Sequence, residues 1–368
     1  MHRYLYEGLK IHFYEEIEIP VMLGVIHTGK VTAKQNQKHQ RSAFHPILGK
    51  TNKEKWGRKM SDDFTRIIVL GIDGLEYSLV EEWKLEYILQ RAHCRTDLSD
   101  YDVVVTPPLW GSMITGKIDR EVMRRWKLHT LLAGMDSMRV KFAEKLGRYL
   151  PHKPTIWVWN HLVLPVTGGN PFESTADYVK KKNLHTIFHE FEKSWTNGLP
   201  GYGRVVSDST ARELLLEAFR GNRKPYIRYA IQLYKEDRER LFSALDRDYD
   251  LIFWYTCFLD KIGHVCAGNK LEMLKYYLEI NQLAKKVKKK CPDAIIYIIS
   301  DHGMKPAEGA GKWGVHSDYG FFSSSTGELI SKPYHLYELL LRHAPGIRTR
   351  RRVYLNSSGP TNIRKINK

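Results

Sequence analysis

Cysteine is scarce in this sequence, and long apolar runs are absent. The 368 residues include four cysteines, too few for a disulfide scaffold, and none forms a Cys-x-x-Cys pair of the kind that binds structural zinc. The longest apolar runs, such as residues 251–259, are too short to cross a bilayer, and the N-terminus has no apolar core followed by a cleavage site. We therefore expect a soluble, cytoplasmic protein with no membrane span.

Two common nucleotide-binding loops are also missing. Residues 49–51 resemble the end of a phosphate-binding loop, but Phe44 stands where that loop requires glycine. The Gly201-Tyr-Gly203 stretch lacks the third glycine of a dinucleotide fingerprint and does not follow a predicted strand. Neither motif therefore explains a function for this chain.

Acidic residues are missing from the C-terminal end of the chain. Residues 342–368 contain eight basic residues and no acidic one, and residues 1–60 contain 11 basic and five acidic residues. Most of the formal net charge of +17 thus lies at the two ends, which could bind nucleic acid or simply aid solubility. The composition predicts an N-terminal extension or linker over 1–59, in part disordered, a main folded domain over 60–345, and a basic tail over 346–368.

Apolar runs of strand length alternate with helical patterns between the two basic ends. Strands are predicted over 66–72, 103–105, 155–164, 251–259 and 294–299, and helices over 121–150, 224–247, 271–290 and 333–343. This alternation predicts an α/β domain whose central sheet is mostly parallel and flanked by helices. Ligands of such sheets bind beyond the carboxyl ends of the strands.

Polar residues follow four of the predicted strands and would meet at one edge of the sheet. They are Asp73, Thr106, Asp260, His264, Asp301 and His302, and His316 follows from a loop. Any one of them alone could be a helix cap, a turn former or an ion-pair partner. A Ser-Asp-His-Gly tetrapeptide, present at 300–303, arises by chance in roughly one chain of this length in four hundred. Taken together, these residues predict a functional site.

The residue types at this edge suit divalent metal ions. Carboxylate and imidazole ligands bind zinc, manganese or iron, and two ions about 4 Å apart can clamp the attacking and leaving oxygens of a phosphoryl group. Thr106 directly precedes Pro107 and Pro108, a pattern typical of a helix N-terminus, where a phosphate group is favoured. Thr106 is therefore the predicted nucleophile, although it could also serve as a helix cap.

These motifs resemble the alkaline phosphatase superfamily and, within it, the type I phosphodiesterase/nucleotide pyrophosphatase family. The resemblance covers short blocks between residues 66 and 322: an Asp-Gly pair after a strand, a threonine ten residues before the glycine of a Thr-Gly pair, and the motifs Asp-x-x-Gly-His, Ser-Asp-His-Gly-Met and Gly-x-His. In this chain they occupy residues 73–74, 106–116, 260–264, 300–304 and 314–316.

The resemblance implies an alkaline phosphatase-like fold with cap or substrate-binding insertions within 150–250. It implies two divalent ions, zinc or manganese: one is held by Asp73, Thr106, Asp301 and His302, and the other by Asp260, His264 and His316. It also implies that Thr106 attacks phosphorus and forms a phosphothreonine, which is then hydrolysed by water activated at the second ion.

One expected block is missing. Relatives usually continue after Thr-Gly with an Asn-Pro-x-x-His-Gly stretch, whereas this chain has basic residues there, and Lys117, Arg124 and Arg125 are predicted to contact the phosphate instead. The predicted reaction is hydrolysis of a phosphodiester or pyrophosphate in a small phosphorylated substrate, including a nucleotide. Two alternatives remain open: a phosphomonoesterase or phosphotransferase/mutase of the same superfamily, and a nucleic-acid-binding protein with a vestigial site.

Overall fold

The structure, a computed structural model, describes residues 65–128, 130, 175–205, 208–307 and 313–344. All of them belong to the second of the two units into which the chain divides, Met60–Lys368. The predicted extension over 1–59, the basic tail over 346–368, the predicted strand over 155–164 and the first part of the predicted cap region lie outside the described residues.

The central feature is a mixed sheet of six strands. Its members are β1 (Ile67–Ile72), β2 (Ala92–Asp97), β3 (Ser194–Thr196), β6 (Leu251–Thr256), β7 (Ile295–Ser300) and β10 (Tyr319–Ser324), in the order β2-β10-β7-β1-β6-β3. Only β10 runs against the others. Two short ladders lie outside this sheet: β4 (Leu199–Pro200) pairs with β5 (Gly203–Arg204), and β8 (Met304–Pro306) pairs with β9 (Gly314–His316). The predicted α/β class with a mostly parallel sheet is confirmed.

Helices cover both faces of the sheet because β1 presents apolar residues in both directions. Ile68, Leu70 and Ile72 pack in one layer and Ile67 and Val69 in the other, as expected for a strand buried on both faces. The first layer contains α1 (Tyr77–Glu82), α2 (Glu86–Leu89), α5 (Ser209–Phe219), α6 (Lys224–Leu245), α7 (Phe258–Cys266) and α8 (Lys270–Lys290). The second contains α3 (Thr106–Thr115), helical residues 120–128, α4 (Tyr178–Lys181), a 3-10 helix (Ile187–Glu190) and α9 (His335–Leu341).

The described helices include none that is both long enough and apolar enough to cross a lipid bilayer. The longest, α6 and α8, have 22 and 21 residues. Both carry charged residues throughout their length, because only one face of each packs on the sheet.

Two predicted strands differ from the structure. Residues 103–105 form no strand; they are half-buried, and the carbonyl oxygen of Val104 accepts a hydrogen bond from the ring of His316. The apolar run over 251–259 is divided, because β6 ends at Thr256 and α7 begins at Phe258. Asp260 therefore lies in the first turn of a helix rather than directly after a strand.

Candidate metal centre

Asp73 and Asp260 meet because their strands are neighbours in register. Ile72, the last residue of β1, pairs with Thr256, the last residue of β6. The backbone nitrogen of Asp260 then donates to the backbone oxygen of Asp73 at 3.0 Å. Gly74 makes this approach possible: its φ is +75°, and a Cβ there would lie 2.6 Å from the Cα of Asp260. The Asp-Gly pair is thus required by the contact between β1 and α7.

A hairpin brings His316 back to Asp301 and His302. The last two follow β7 directly, on the other side of β1 from Asp260. The short strands β8 and β9 then pair so that Met304 lies opposite His316. His316 was predicted to lie in a loop, but it is the last residue of β9, and this pairing sets its position.

The side chains form two groups with one shared histidine. Asp73, Asp301 and His302 make up the first group, and Asp260, His302 and His316 make up the second; within each group the possible ligand atoms lie within 4.8 Å of one another. The Nε2 of His302 lies 3.3 Å from Asp73 Oδ1 and 3.4 Å from Asp301 Oδ2. The Nε2 of His316 lies 3.4 Å from Asp260 Oδ1.

The place of His264 differs from what the family resemblance implies. It lies one turn after Asp260 in α7, with its Nε2 3.3 Å from Asp260 Oδ1. It is therefore beside the second group, whose third close member is His302. Its side chain is 28% exposed, whereas that of His302 is fully buried.

Backbone carbonyls orient both central imidazoles. The Nδ1 of His302 lies 3.1 Å from the oxygen of Gly303, and the Nδ1 of His316 lies 3.2 Å from the oxygen of Val104. A carbonyl oxygen only accepts, so each Nδ1 carries the hydrogen. In a neutral ring this leaves the Nε2 lone pair directed into the cluster, which is the tautomer that a metal-binding histidine needs.

Buried polar atoms that make no hydrogen bond are concentrated in this cluster. Within the described part of the chain, six such atoms belong to the predicted ligands: Asp73 Oδ1, Asp260 Oδ1, both Oδ atoms of Asp301, His302 Nε2 and His316 Nε2. Buried polar groups are normally hydrogen-bonded, and leaving one unpaired costs about 1–3 kcal/mol. All six are competent metal ligands, so the donor set fits one or two divalent ions of the zinc or manganese type.

Electrostatics in the cluster also favour a cation. Burial and then the charge of Asp260 raise the pKa of Asp73 to about 7. Burial and then the charge of Asp73 raise the pKa of Asp301 well above its ordinary value. Carboxylates packed this closely repel one another when ionised, and a bound cation would remove that repulsion.

The pKa values of the two central histidines shift in opposite directions. Burial and then the charge of His316 hold the pKa of His302 well below its ordinary value, which keeps its ring neutral. Burial acts in the same direction on His316, but the carboxylate of Asp260 outweighs it and raises the pKa of that ring. Asp260 is buried, which raises its pKa, yet His264 and His316 pull that pKa well below the ordinary value.

Thr106 is the first residue of α3, with Val105 as the cap. Its side chain is almost completely buried, and its hydroxyl makes no hydrogen bond to another described residue. Because Pro107 and Pro108 have no amide hydrogen, Thr106 provides the one backbone N–H among the first three residues of this helix. Trp110 fixes α3 against the sheet through an edge-on contact with Tyr255, at 5.0 Å between ring centroids.

The predicted phosphate contacts lie apart from these interactions. Lys117 follows the C-terminus of α3, about 15 Å along the helix axis from Thr106. Arg124 and Arg125 are exposed, and Arg125 pairs with Glu121 at 2.6 Å. Across the described residues, none of the three makes a hydrogen bond or ion pair with a member of the cluster.

Two residues that the sequence did not indicate form hydrogen bonds to the cluster or to residues beside it. Tyr255 in β6 is fully buried, and its hydroxyl donates to Asp73 Oδ2 at 2.6 Å. Glu76 caps α1 and accepts hydrogen bonds from Ser317 and Tyr319, which follow His316 by one and three positions in the chain. Burial and then the bond to Glu76 raise the pKa of Tyr319 to about 12. A tyrosine inside an apolar strand and a glutamate at a helix start are common features, so no sequence signal marks either one.

Comparison with known proteins adds no relative: no family model matches the chain, and no curated protein matches it significantly in sequence. Function must therefore be argued from the site itself.

Proposed function

We propose that this protein is a metal-dependent hydrolase that cleaves a phosphodiester or pyrophosphate bond, including one in a nucleotide, through a phosphothreonine on Thr106. The observation that carries this proposal is the pair of overlapping groups of possible ligands, with six buried ligand atoms that make no hydrogen bond, at the carboxyl edge of the sheet. The resemblance of the motifs to the type I phosphodiesterase family agrees with it.

The residues present fit two divalent ions. Asp73, Asp301 and His302 would hold one, and Asp260 and His316, completed by His264 or His302, would hold the other. When bound, such ions withdraw charge from phosphoryl oxygens and lower the pKa of a hydroxyl group beside them. Zinc and manganese suit this mixture of carboxylate and imidazole donors.

Thr106 has the features of a nucleophile held at a helix N-terminus. Its Oγ would form the new bond to phosphorus while the bond from phosphorus to the leaving oxygen breaks, and the hydroxyl proton passes to the leaving group or to solvent. Its backbone N–H and the dipole of α3 favour the negative charge of the phosphoryl group. Attack by water then breaks the phosphothreonine bond, which restores the hydroxyl and releases the phosphate product.

The proposal also includes basic residues that contact the substrate. Lys117, Arg124 and Arg125 are basic residues that follow α3 in the sequence. Arg124 and Arg125 stay predicted contacts of the substrate, whereas Lys117 is not proposed as one because it lies at the opposite end of the helix from Thr106. Substrate class must therefore be established by turnover.

The experiment is hydrolysis of bis-p-nitrophenyl phosphate and p-nitrophenyl phosphate by the full chain loaded with zinc or manganese. We expect the diester to be preferred, and Thr106→Ala to lower kcat by about a thousandfold or more, as removal of a nucleophile does, with metal content unchanged. Thr115→Ala is the matched control, since this threonine lies at the other end of α3 and bonds to the oxygen of Gly111.

Each other outcome is informative. Preference for the monoester, with the same loss in Thr106→Ala, would identify a phosphomonoesterase or phosphotransferase. Full activity in Thr106→Ala would reject the nucleophile. The proposed function would be refuted by a folded, metal-loaded protein that cleaves neither of the two esters nor a pyrophosphate substrate.

A further inference from the structure

Glu76 is a buried carboxylate with a full set of hydrogen-bond donors. The residue is 2% exposed. Its Oε1 accepts from the backbone nitrogen of Ser78 at 3.1 Å, from the Ser78 hydroxyl at 2.8 Å and from the Tyr319 hydroxyl. Its Oε2 accepts from the Ser317 hydroxyl at 2.5 Å. Four donors directed at one carboxyl group fit an ionised, acceptor-only side chain, whose burial is tolerated because these bonds replace water.

Apart from Ser78, the donors and neighbours of Glu76 come from both ends of one chain segment. We call residues 301–319 the return segment, since it leaves the sheet after β7 and re-enters it at β10. Ser317 directly follows His316, and Gly303 directly follows His302. Gly303 lies so close to Glu76 that a Cβ at this position would overlap Oε2. Glu76 therefore contacts the residues that follow both central histidines.

Backbone hydrogen bonds close the base of the return segment at the same place. The nitrogen of Ser317 donates to the oxygen of Gly303 at 2.9 Å, and the nitrogen of Gly303 donates to the oxygen of Tyr319 at 3.0 Å. Glu76 adds side-chain bonds to this closure from a different element, the start of α1. The imidazoles of His302 and His316 are consequently held in contact.

We propose that Glu76 is a positioning residue that fixes the separation of His302 and His316, and through them the spacing of the two metal ions. This inference rests on the proposed two-metal site. It assigns Glu76 no contact with substrate or metal. Its effect passes through Gly303 and Ser317 to the ligands next to them in the chain.

The test uses Mn²⁺ with the full-length chain. Calorimetry gives the stoichiometry and the two dissociation constants, and electron paramagnetic resonance detects the spin coupling of two neighbouring Mn²⁺ ions. In Glu76→Ala we expect at least one ion to bind tenfold or more weakly, the range found for residues that orient metal ligands, and the coupled signal to weaken. Glu76→Gln keeps the shape and one acceptor oxygen but places an amide donor against a hydroxyl, so it should lose less affinity than Glu76→Ala and still bind at least one ion more than twofold more weakly than the wild type.

Glu328→Ala is the matched control. Glu328 accepts hydrogen bonds from the hydroxyls of Tyr297 and Thr326, at 2.8 and 2.9 Å, which repeats the chemistry of Glu76 away from the cluster. We expect this variant to lose thermal stability while keeping the affinities and the coupled signal of the wild type.

The proposal is overturned if folded Glu76→Ala keeps both affinities within twofold and keeps the coupled signal. If the alanine variant does not fold, Glu76→Gln decides, because its amide places a donor against the hydroxyl of Ser317 or Tyr319; a Gln variant that matches the wild type within twofold, with its coupled signal intact, also overturns the proposal. Wild-type protein that binds no Mn²⁺ refutes the metal site itself, whereas wild type that binds two coupled ions but hydrolyses nothing refutes only the proposed function.

Discussion

The imidazole rings of His302 and His316 stack with their centroids 3.7 Å apart and their planes 16° from parallel. Two protonated rings at this distance would repel each other strongly. Each ring is anchored through Nδ1 on a backbone carbonyl, and each directs Nε2 toward a different carboxylate: toward Asp73 and Asp301 in one case and Asp260 in the other. The stacked pair therefore joins the two groups of possible metal ligands.

Metal ions should stabilise the folded protein, and more so at higher pH. Burial raises the pKa of Asp73 to about 7, so the metal-free fold is favoured by protonation and loses this contribution as pH rises through about 7. A bound ion replaces the proton. We expect Zn²⁺ or Mn²⁺, at a concentration a hundred times the Kd measured at pH 8, to raise Tm by about 5–10 °C at pH 8. The same concentration should raise Tm by less at pH 5.5.

Thermal unfolding with and without chelator at the two pH values checks this. Magnesium-free buffer with added sodium salt is the ionic-strength control. An equal rise in Tm at both pH values, or none at pH 8, would contradict the proposed role of the buried carboxylates.

Substituting the three histidines separately should distinguish their roles. His302 lies in both groups, so His302→Ala should abolish binding of both ions. His316→Ala should lower the occupancy of one ion more than that of the other. His264 is partly exposed and contacts Asp260 alone among the carboxylates of the cluster, so His264→Ala should weaken the second ion by about tenfold. Metal analysis after dialysis, with half-buried His335→Ala in α9 as control, measures these occupancies; equal loss of both ions in His316→Ala would refute the grouping.

Removing the Tyr255 hydroxyl should weaken metal binding without disturbing the core. Tyr255→Phe keeps the packing against Trp110 but leaves Asp73 Oδ2 without its 2.6 Å donor. We expect a loss of about 1–3 kcal/mol in unfolding free energy and a tenfold to hundredfold loss in metal affinity.

Tyr234→Phe is the control for this hydrogen bond, because Tyr234 donates to Glu279 at 3.0 Å and Glu279 is not a member of the cluster. It should lose stability and keep metal affinity. If Tyr255→Phe binds metal as tightly as the wild type, the hydroxyl does not orient Asp73.

The basic residues after α3 can be tested as substrate contacts. Lys117→Ala should leave KM for the diester unchanged, because Lys117 is about a helix length from Thr106. The double variant of Arg124→Ala and Arg125→Ala should raise KM if these side chains bind phosphate. Steady-state kinetics measures KM for both variants. A raised KM in Lys117→Ala, with an unchanged KM in the double variant, would reverse the assignment of the substrate contacts.

The sequence predicts the ligands better than it predicts what holds them. Asp73, Asp301 and His302 could be found because they directly follow strands that are apolar on both faces. The strand β10 and its partner β2 were missed, since β2 is half-exposed and has no apolar run. Their pairing nevertheless brings Tyr319 beside the cluster.

Longer-range contacts explain the remaining omissions. Glu76 meets Ser317 across 241 positions of the chain, and Tyr255 meets Asp73 across 182. No local pattern encodes either meeting, because each depends on which strands become neighbours. The predicted strand over 103–105 was wrong for a related reason: the carbonyl of Val104 bonds to a histidine ring instead of a neighbouring strand.

The return segment leaves and re-enters the sheet between adjacent strands, so both of its ends are anchored at one place. Its two histidines lie near that base. The number of residues between Pro306 and Gly314 can therefore change without moving either imidazole ring, so the sequence of this segment is constrained at its base.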